Sequence, residues 1–247
     1  AFITGIYERL LSSLQSIVPA FFDLIRSRDF TKFWEEINGA FLLTLFSGIL
    51  LSVLIFAKLI AYLLVAHPIP LWSFFFGLIV ASVSIVGKQV SDWNIRAFIF
   101  VIIGAVIAYL ITQLSPASVE PTYFNAFVSG LIAICAMILP GISGSFILVM
   151  MGTYSFILGA IKEFDIVILM IFSSGCLIGL LSIANLLVWA FSHYRNMTLA
   201  ILTGFMVGAL TKVWPWKEAL TFREDRHGQL VPLLEQNIMP NTYELIF

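Results

Sequence analysis

"ILPGISGSFILVMMGTY", residues 138–154, interrupts a chain that is otherwise almost continuous apolar sequence. The stretch around it, 122–161, is about 40 residues long, or roughly 60 Å of helix at 1.5 Å per residue, twice a hydrocarbon core of about 30 Å. Pro140 forbids one continuous helix, because it removes a backbone donor and its ring clashes with the preceding turn. Two glycines and two serines follow at once. The sequence predicts a re-entrant hairpin: one half-helix descends, the backbone opens over Pro140–Ser145, and a second half-helix climbs from Phe146. Irregular backbone at membrane depth survives only where protein buries it or where it lines a wet cavity. Free N–H groups at the start of the second half-helix attract anions. Gly141 and Gly144 admit a ligand close to the backbone, and Ser143 and Ser145 add hydroxyls. The break therefore reads as an anion cradle. The plainer alternative is a kinked helix whose small residues only permit close packing.

Composition sets the frame for that reading. The 247 residues are 60% hydrophobic and 11% charged, with mean hydropathy +1.02, where a soluble domain carries about a quarter charged residues. Apolar runs at 39–66, 69–87, 97–114, 122–139, 166–192 and 196–214 reach or approach the length of a membrane crossing. The fold class expected is an all-α polytopic membrane protein. A net charge of −1 with no basic tail gives no sign of nucleic acid. Cys135 and Cys176 stand alone in apolar segments, and three scattered histidines make no ligand set, so neither a metal nor another cofactor is called for.

An internal repeat organises the chain. "FSGILLSVLIFAKLIAYLL" (46–64) aligns without a gap to "SSGCLIGLLSIANLLVWAF" (173–191) at an offset of 127, and the register continues through "FGLIVAS" (76–82) and "TGFMVGA" (203–209). It pairs Gly48 with Gly175, Lys58 with Asn185, and Gly77 with Gly204. Upstream, "TGIY" (4–7) matches "MGTY" (151–154) at an offset of 147. The extra length before the first copy holds "DLIRSRDFTKFWEEI" (23–37), which reads as an amphipathic surface helix. Residues 1–121 are thus a first repeat and 122–247 a second. Each is a broken hairpin plus about three spans, with substrate expected at the repeat interface near the midplane. The first copy's Pro-Gly portion is expected before residue 1. The counterpart of span 97–114 is expected after 247, because 215–247 is too polar to supply it.

Lys58 is the other anomaly, since an intramembrane ammonium is costly unless paired or solvated. It is read as a substrate-pathway residue with Asn185 as its repeat partner; snorkelling to the interface is the alternative. Glu8 and Arg9 follow the first "GIY" and are read as a gate or counter-charge pair. Tyr7 and Tyr154 hold matching positions and are expected to face the cavity. The tryptophans near span ends form an anchoring belt.

"PGISGSFILVMMGTY" together with "AFITGIYERLL" resembles the bacterial polyprenyl-phosphate transporter family, long catalogued as a domain of unknown function. Its members carry a Pro-Gly-Val-Ser-Gly-Gly-Thr motif leading into Ile-Thr-Gly-Ile-Tyr-Glu, and a second such motif mid-chain. Pro140, Gly141, Ser143, Gly144, Gly152 and Tyr154 match the second copy, with Ser145 and Phe146 where the first usually has Gly-Thr. Thr4, Gly5, Tyr7 and Glu8 match the end of the first. The resemblance implies a flippase that returns undecaprenyl phosphate across the bacterial cytoplasmic membrane for cell-wall synthesis, not an enzyme. Its partners would be that lipid and the surrounding membrane lipids, and self-association is compatible with it.

Loop charges bear on topology. An in-and-out hairpin inverts the two repeats and splits Lys/Arg seven to five, whereas a single crossing by 122–161 splits them eleven to one. Length favours the inverted arrangement, and in both cases loops 9–32 and 88–96 face the cytoplasm. Two other functions compete: a secondary transporter or channel for a small soluble anion, and an enzyme acting on lipid phosphates. The hairpin lacks a His or Asp to serve as general acid or base, which places the enzyme last.

Overall fold

The computed structural model describes residues 5–113, 119–120, 122–224 and 230–239, the side chains of 219–224 and 230–235 excepted. Nine helices precede a strand pair among these residues. They are α1 (Ile6–Ser27), α2 (Phe30–Glu36), α3 (Gly39–Ala66), α4 (Pro68–Gly87), α5 (Ile95–Gln113), α6 (Tyr123–Ile138), α7 (Gly144–Met150), α8 (Tyr154–Glu163) and α9 (Ile166–Ala209), followed by β1 (Lys217–Glu224) and β2 (Leu230–Asn237). Helices α3, α4, α5 and α9 are each long and apolar enough to cross a membrane. The protein is a multi-pass α-helical membrane protein. A helix that is apolar on every side belongs in lipid or in a core, and α3 buries only Gly39 against its neighbours.

At 44 residues α9 is about 66 Å long, enough for two crossings. Tyr194, at φ −136° and ψ 46°, leaves the helical region and divides it into limbs 166–193 and 195–209. Glycines fix what each limb touches. A β-carbon at Gly175 would strike the Phe127 carbonyl of α6, and one at Gly179 would stand 2.5 Å from the Leu131 carbonyl. Partner numbers rise together, so α6 and the first limb run parallel. Likewise Gly204 faces the carbonyl of Val101 and Gly208 that of Ala105, so α5 runs parallel to the second limb. Just beyond α6, Gly141 meets Phe205, Met206 and Ala209. In a straight helix Gly179 and Ala209 would lie about 45 Å apart, yet the mostly helical path from Leu131 to Gly141 covers only about half that. The second limb therefore turns back at Tyr194 and packs beside the first. The two spans read from sequence, 166–192 and 196–214, correspond to these limbs.

The bend defines one end of the bundle. Ser91, in the α4–α5 connection, donates its backbone N–H to Asn196 Oδ1 at 3.2 Å. Glu8 pairs with Arg195, and Arg9 lies over the Phe41 ring near the start of α3. At the opposite end Trp72 takes Lys217 over its ring, and Phe76 meets Trp214 edge-on at 5.5 Å. So α3 runs from the Arg195 end to the Lys212 end, α4 returns, and α5 runs out again. Pro68 at the first position of α4 permits the tight reversal after α3.

Three local expectations are corrected. The amphipathic stretch 23–37 is not one helix: Arg28 sits at φ 55°, and Asp29 opens α2 by accepting from the Lys32 N–H at 3.1 Å. Lys32 then lies between Asp23 and Glu36 at 3.6 and 3.5 Å, and these carboxylates raise its pKa, Glu36 the more. The second half-helix, expected to climb from Phe146, begins at Gly144 and is cut again at Met151–Thr153. There Gly152 takes φ 68° and the N–H of Thr153 reaches back to the Leu148 carbonyl at 3.0 Å, a left-handed helix stop. Helices α7 and α8 meet at 109°. The all-α expectation is qualified only after 214, where β1 and β2 pair antiparallel, Lys217 opposite Asn237 and Glu224 opposite Leu230.

The glycine seams give a direct test. Gly175→Leu should cost about 1–3 kcal/mol by overpacking, read as a lowered thermal unfolding midpoint in detergent. Gly48, which aligns with it in sequence at the offset of 127, has nothing within 4 Å, so Gly48→Leu should stay within about 0.5 kcal/mol of the parent.

Candidate functional site

The backbone break is built by a short run of conformational constraints. Thr122 caps α6 by accepting from the Asn125 N–H at 3.2 Å. Leu139 is extended, as a residue before proline prefers to be. Gly141 takes φ 90°, and a β-carbon there would stand 2.7 Å from Ala209 Cβ and 3.0 Å from the Phe205 oxygen. Ser143 is extended and starts α7. A β-carbon at Gly144 would stand 2.9 Å from the Ala133 oxygen, so α7 lies back against α6. The hydroxyls of Ser143 and Ser145 are exposed and 2.9 Å apart, and Gly141 is also exposed. The break thus presents two hydroxyls and an open glycine backbone on one side, with α9 closing the other.

Lys212 stands beside this break, its Nζ 4.7 Å from the centre of the Phe146 ring. In the sequence Lys212 reads only as one of the five loop charges on the less basic side. Its place next to the cradle follows from the second limb of α9 turning back, which no local pattern announces.

Tyr7 ties α1 to the same region. It is 5% exposed, donates its hydroxyl to the Ile138 carbonyl at 3.2 Å, and meets the Phe191 ring edge-on at 6.2 Å. Tyr154 opens α8, half-buried and beyond the second break. Each of these tyrosines lies two residues after a glycine at φ 68°, Gly5 and Gly152.

The charges near α1 are arranged differently from the expected pair. Glu8 is joined not to Arg9 but to Arg195 by two bonds, at 2.8 and 2.9 Å. This fork-to-fork geometry is the strong form of a carboxylate–guanidinium contact. The guanidinium of Arg9 lies 4.5 Å over the Phe41 ring. A cavity of about 460 Å³ opens here between α1 and α9, lined by Glu8, Arg9, Leu11, Val188, Phe191 and Arg195 among others. Arg195 was legible only as one cation in a short interruption of an apolar run; a separation of 187 residues hid its partner.

Lys58 and Asn185 are not brought to the break. Both are exposed, and Asn185 donates to the Leu181 carbonyl of its own helix at 2.9 Å. Helix α3, which carries Lys58, packs mainly on α2 and α4.

Comparison with known proteins now decides the family. Residues 1–231 match the family model described as undecaprenyl phosphate translocase-like. The chain belongs to that family. It is 50% identical over 246 residues to a polyprenyl-phosphate transporter of Vibrio cholerae, covering 100% of this chain and 80% of the relative. It is 30% identical over 202 residues to a polyprenyl-phosphate transporter of Staphylococcus aureus, covering 74% of this chain and 71% of that one. No solved structure matches.

Within this family member the break has a measurable signature. Gly141→Ala forces a side chain onto a left-handed backbone against Ala209, and should cost about 1–3 kcal/mol as a drop in thermal midpoint. Ser143→Ala removes only an exposed hydroxyl contact and should shift it by less than about 0.5 kcal/mol.

Proposed function

We propose that this protein is a translocase for undecaprenyl phosphate, or a closely similar polyprenyl phosphate, in the bacterial cytoplasmic membrane, recycling the lipid for envelope synthesis. The carrying observation is the open polar break at Pro140–Ser145, set among apolar helices in a chain half identical along its length to a polyprenyl-phosphate transporter. A phosphate monoester on a long prenyl tail needs shielding only at its head. The tail stays in lipid while Gly141, Ser143 and Ser145 offer backbone and hydroxyl groups to the phosphate and Lys212 supplies nearby positive charge. Tyr7 holds the end of α6 in place, and Tyr154 begins the segment that leads away from the break.

The hairpin is re-entrant in this reading. Helix α6 enters parallel to the first limb of α9 but is too short to cross, so the chain must return to the side it entered from before that limb begins, and α7 folding back on α6 starts that return. The two repeats are inverted. Helix α3 runs opposite to the first limb of α9 and α4 opposite to the second, and the matched glycines before Tyr7 and Tyr154 share φ 68°. The seven-charge side is then the Arg195 end, which positive-inside bias places in the cytoplasm, and the hairpin opens toward the outer face. Lys58 lies on the outward face of α3 and marks the lipid-side approach, with Asn185 as its counterpart on α9.

Topology and transport test this separately. Single cysteines at Tyr123 and Ile161, both exposed, should react with an impermeant maleimide from the outer side, and one at Phe22 from the inner side. Labelling of Tyr123→Cys and Ile161→Cys from opposite sides would overturn the hairpin. In proteoliposomes, Ser143→Ala/Ser145→Ala should slow polyprenyl-phosphate translocation about tenfold or more, given about 1.5–3 kcal/mol per hydrogen bond to a charged group. Lys58→Ala should slow it as well, and Lys58→Arg should retain part of the rate. Movement of inorganic phosphate without movement of the lipid would replace this reading with a soluble-anion carrier.

A further inference from the structure

The hairpin break accounts for a phosphate site reached from the Lys212 end. It leaves unused the cavity at the other end, where α1 meets the bend of α9. We propose that this cavity is a second phosphate-monoester site, in which Arg195 and Arg9 hold the head group and Glu8 is an internal stand-in that the phosphate displaces. The proposal rests on the translocase reading and adds where the lipid head sits at the cytoplasmic end of its path.

Four observations carry it. First, Glu8 occupies the fork of Arg195 with both oxygens, at 2.8 and 2.9 Å. The same planar fork matches two oxygens of a phosphate equally well. Second, the pair is accessible: the Arg195 and Glu8 side chains are 52% and 46% exposed, at the edge of a cavity of about 460 Å³. Exposure screens even this bidentate pair, so an anion of greater charge than a carboxylate can displace Glu8 from the fork. Third, Arg9 lines the same cavity and makes no ion pair among the described residues, its guanidinium resting instead on the Phe41 ring. Two guanidiniums and one carboxylate leave the site one positive charge in excess. A phosphate monoester of charge about −1.5 to −2 balances the two guanidiniums once Glu8 swings out.

Fourth, the walls have the right chemistry for a lipid rather than a free ion. Leu11, Val188 and Phe191 form the apolar part of the lining, suited to the first isoprene unit. The site lies where one membrane-crossing limb ends and the next begins, the depth at which lipid phosphates ride. The hydroxyls of Ser12 and Ser192, also in the lining, already donate to helix carbonyls at 2.9 and 2.8 Å. They are left out of the head-group contacts for that reason.

The experiment is farnesyl phosphate binding to the purified full chain in detergent, by calorimetry, with inorganic phosphate and farnesol as comparison ligands. Each variant's thermal midpoint is recorded alongside. Glu8→Gln removes the competitor and should tighten farnesyl phosphate about tenfold, while Arg195→Lys and Arg195→Ala should weaken it about tenfold or more. The decisive variant is the charge swap Glu8→Arg/Arg195→Glu, which restores the ion pair but not the site. It should recover the thermal midpoint and still bind as weakly as Arg195→Ala. A swap that binds like the parent, or a Glu8→Gln that binds no tighter, would overturn the inference and leave a structural salt bridge. Equal tightening of inorganic phosphate and farnesyl phosphate would overturn the lipid assignment. Parent protein that moves polyprenyl phosphate in vesicles while Arg195→Ala moves it at the same rate overturns this site alone. Parent protein that moves none overturns the translocase reading as well.

Discussion

Glycine-to-carbonyl contact along α9 is the constraint on which the rest of the structure depends. In lipid there is no hydrophobic force to drive helices together, because the acyl chains are as apolar as leucine. Association must come from close van der Waals contact, and Gly175, Gly179, Gly204 and Gly208 let the backbones of α6 and α5 approach until no β-carbon would fit. The two limbs of α9 thereby act as the central post. Helix α6 is seated on one limb and α5 on the other, and α1 is attached near the bend through Tyr7 and Leu11.

Once α6 is seated parallel to the first limb, the chain has to open at Pro140. The break is then held from both sides: Gly141 is pressed on Phe205 and Ala209 of the second limb, and Gly144 on Ala133 of α6. Neither contact tolerates a side chain. Gly141, whose other side is exposed, is therefore also a position that packing requires to be glycine. Open backbone and tight helix packing share one solution here.

The bend at Tyr194 has a second consequence. It brings Arg195 beside Glu8, and it carries Lys212 back beside Phe146. One change of direction in one helix thus places a cation at each end of the bundle, next to each polar opening. Lys58, by contrast, sits on a helix with almost no buried surface.

Sequence by itself determined the class, the spans and the position of the break, and it carries the offset of 127 that aligns 46–64 with 173–191. Each is written in local composition or in a fixed offset: twenty apolar residues cannot fold in water, and a proline followed by two glycines cannot continue a helix. It also determined that Gly141, Ser143 and Ser145 would lie together, because they are neighbours in the chain. The second break at Gly152 was less legible, since an isolated glycine in a helical pattern is usually tolerated. Tertiary structure alone decided which charges meet. Glu8 stands next to Arg9 in sequence yet bonds Arg195, because neighbours on a helix point about 100° apart while the turn of α9 delivers a guanidinium to the correct face. Likewise Lys212 rather than Lys58 reaches the break. Long-range contacts of this kind depend on the direction a helix takes after a bend, and that direction is set by packing against elements far away in the chain.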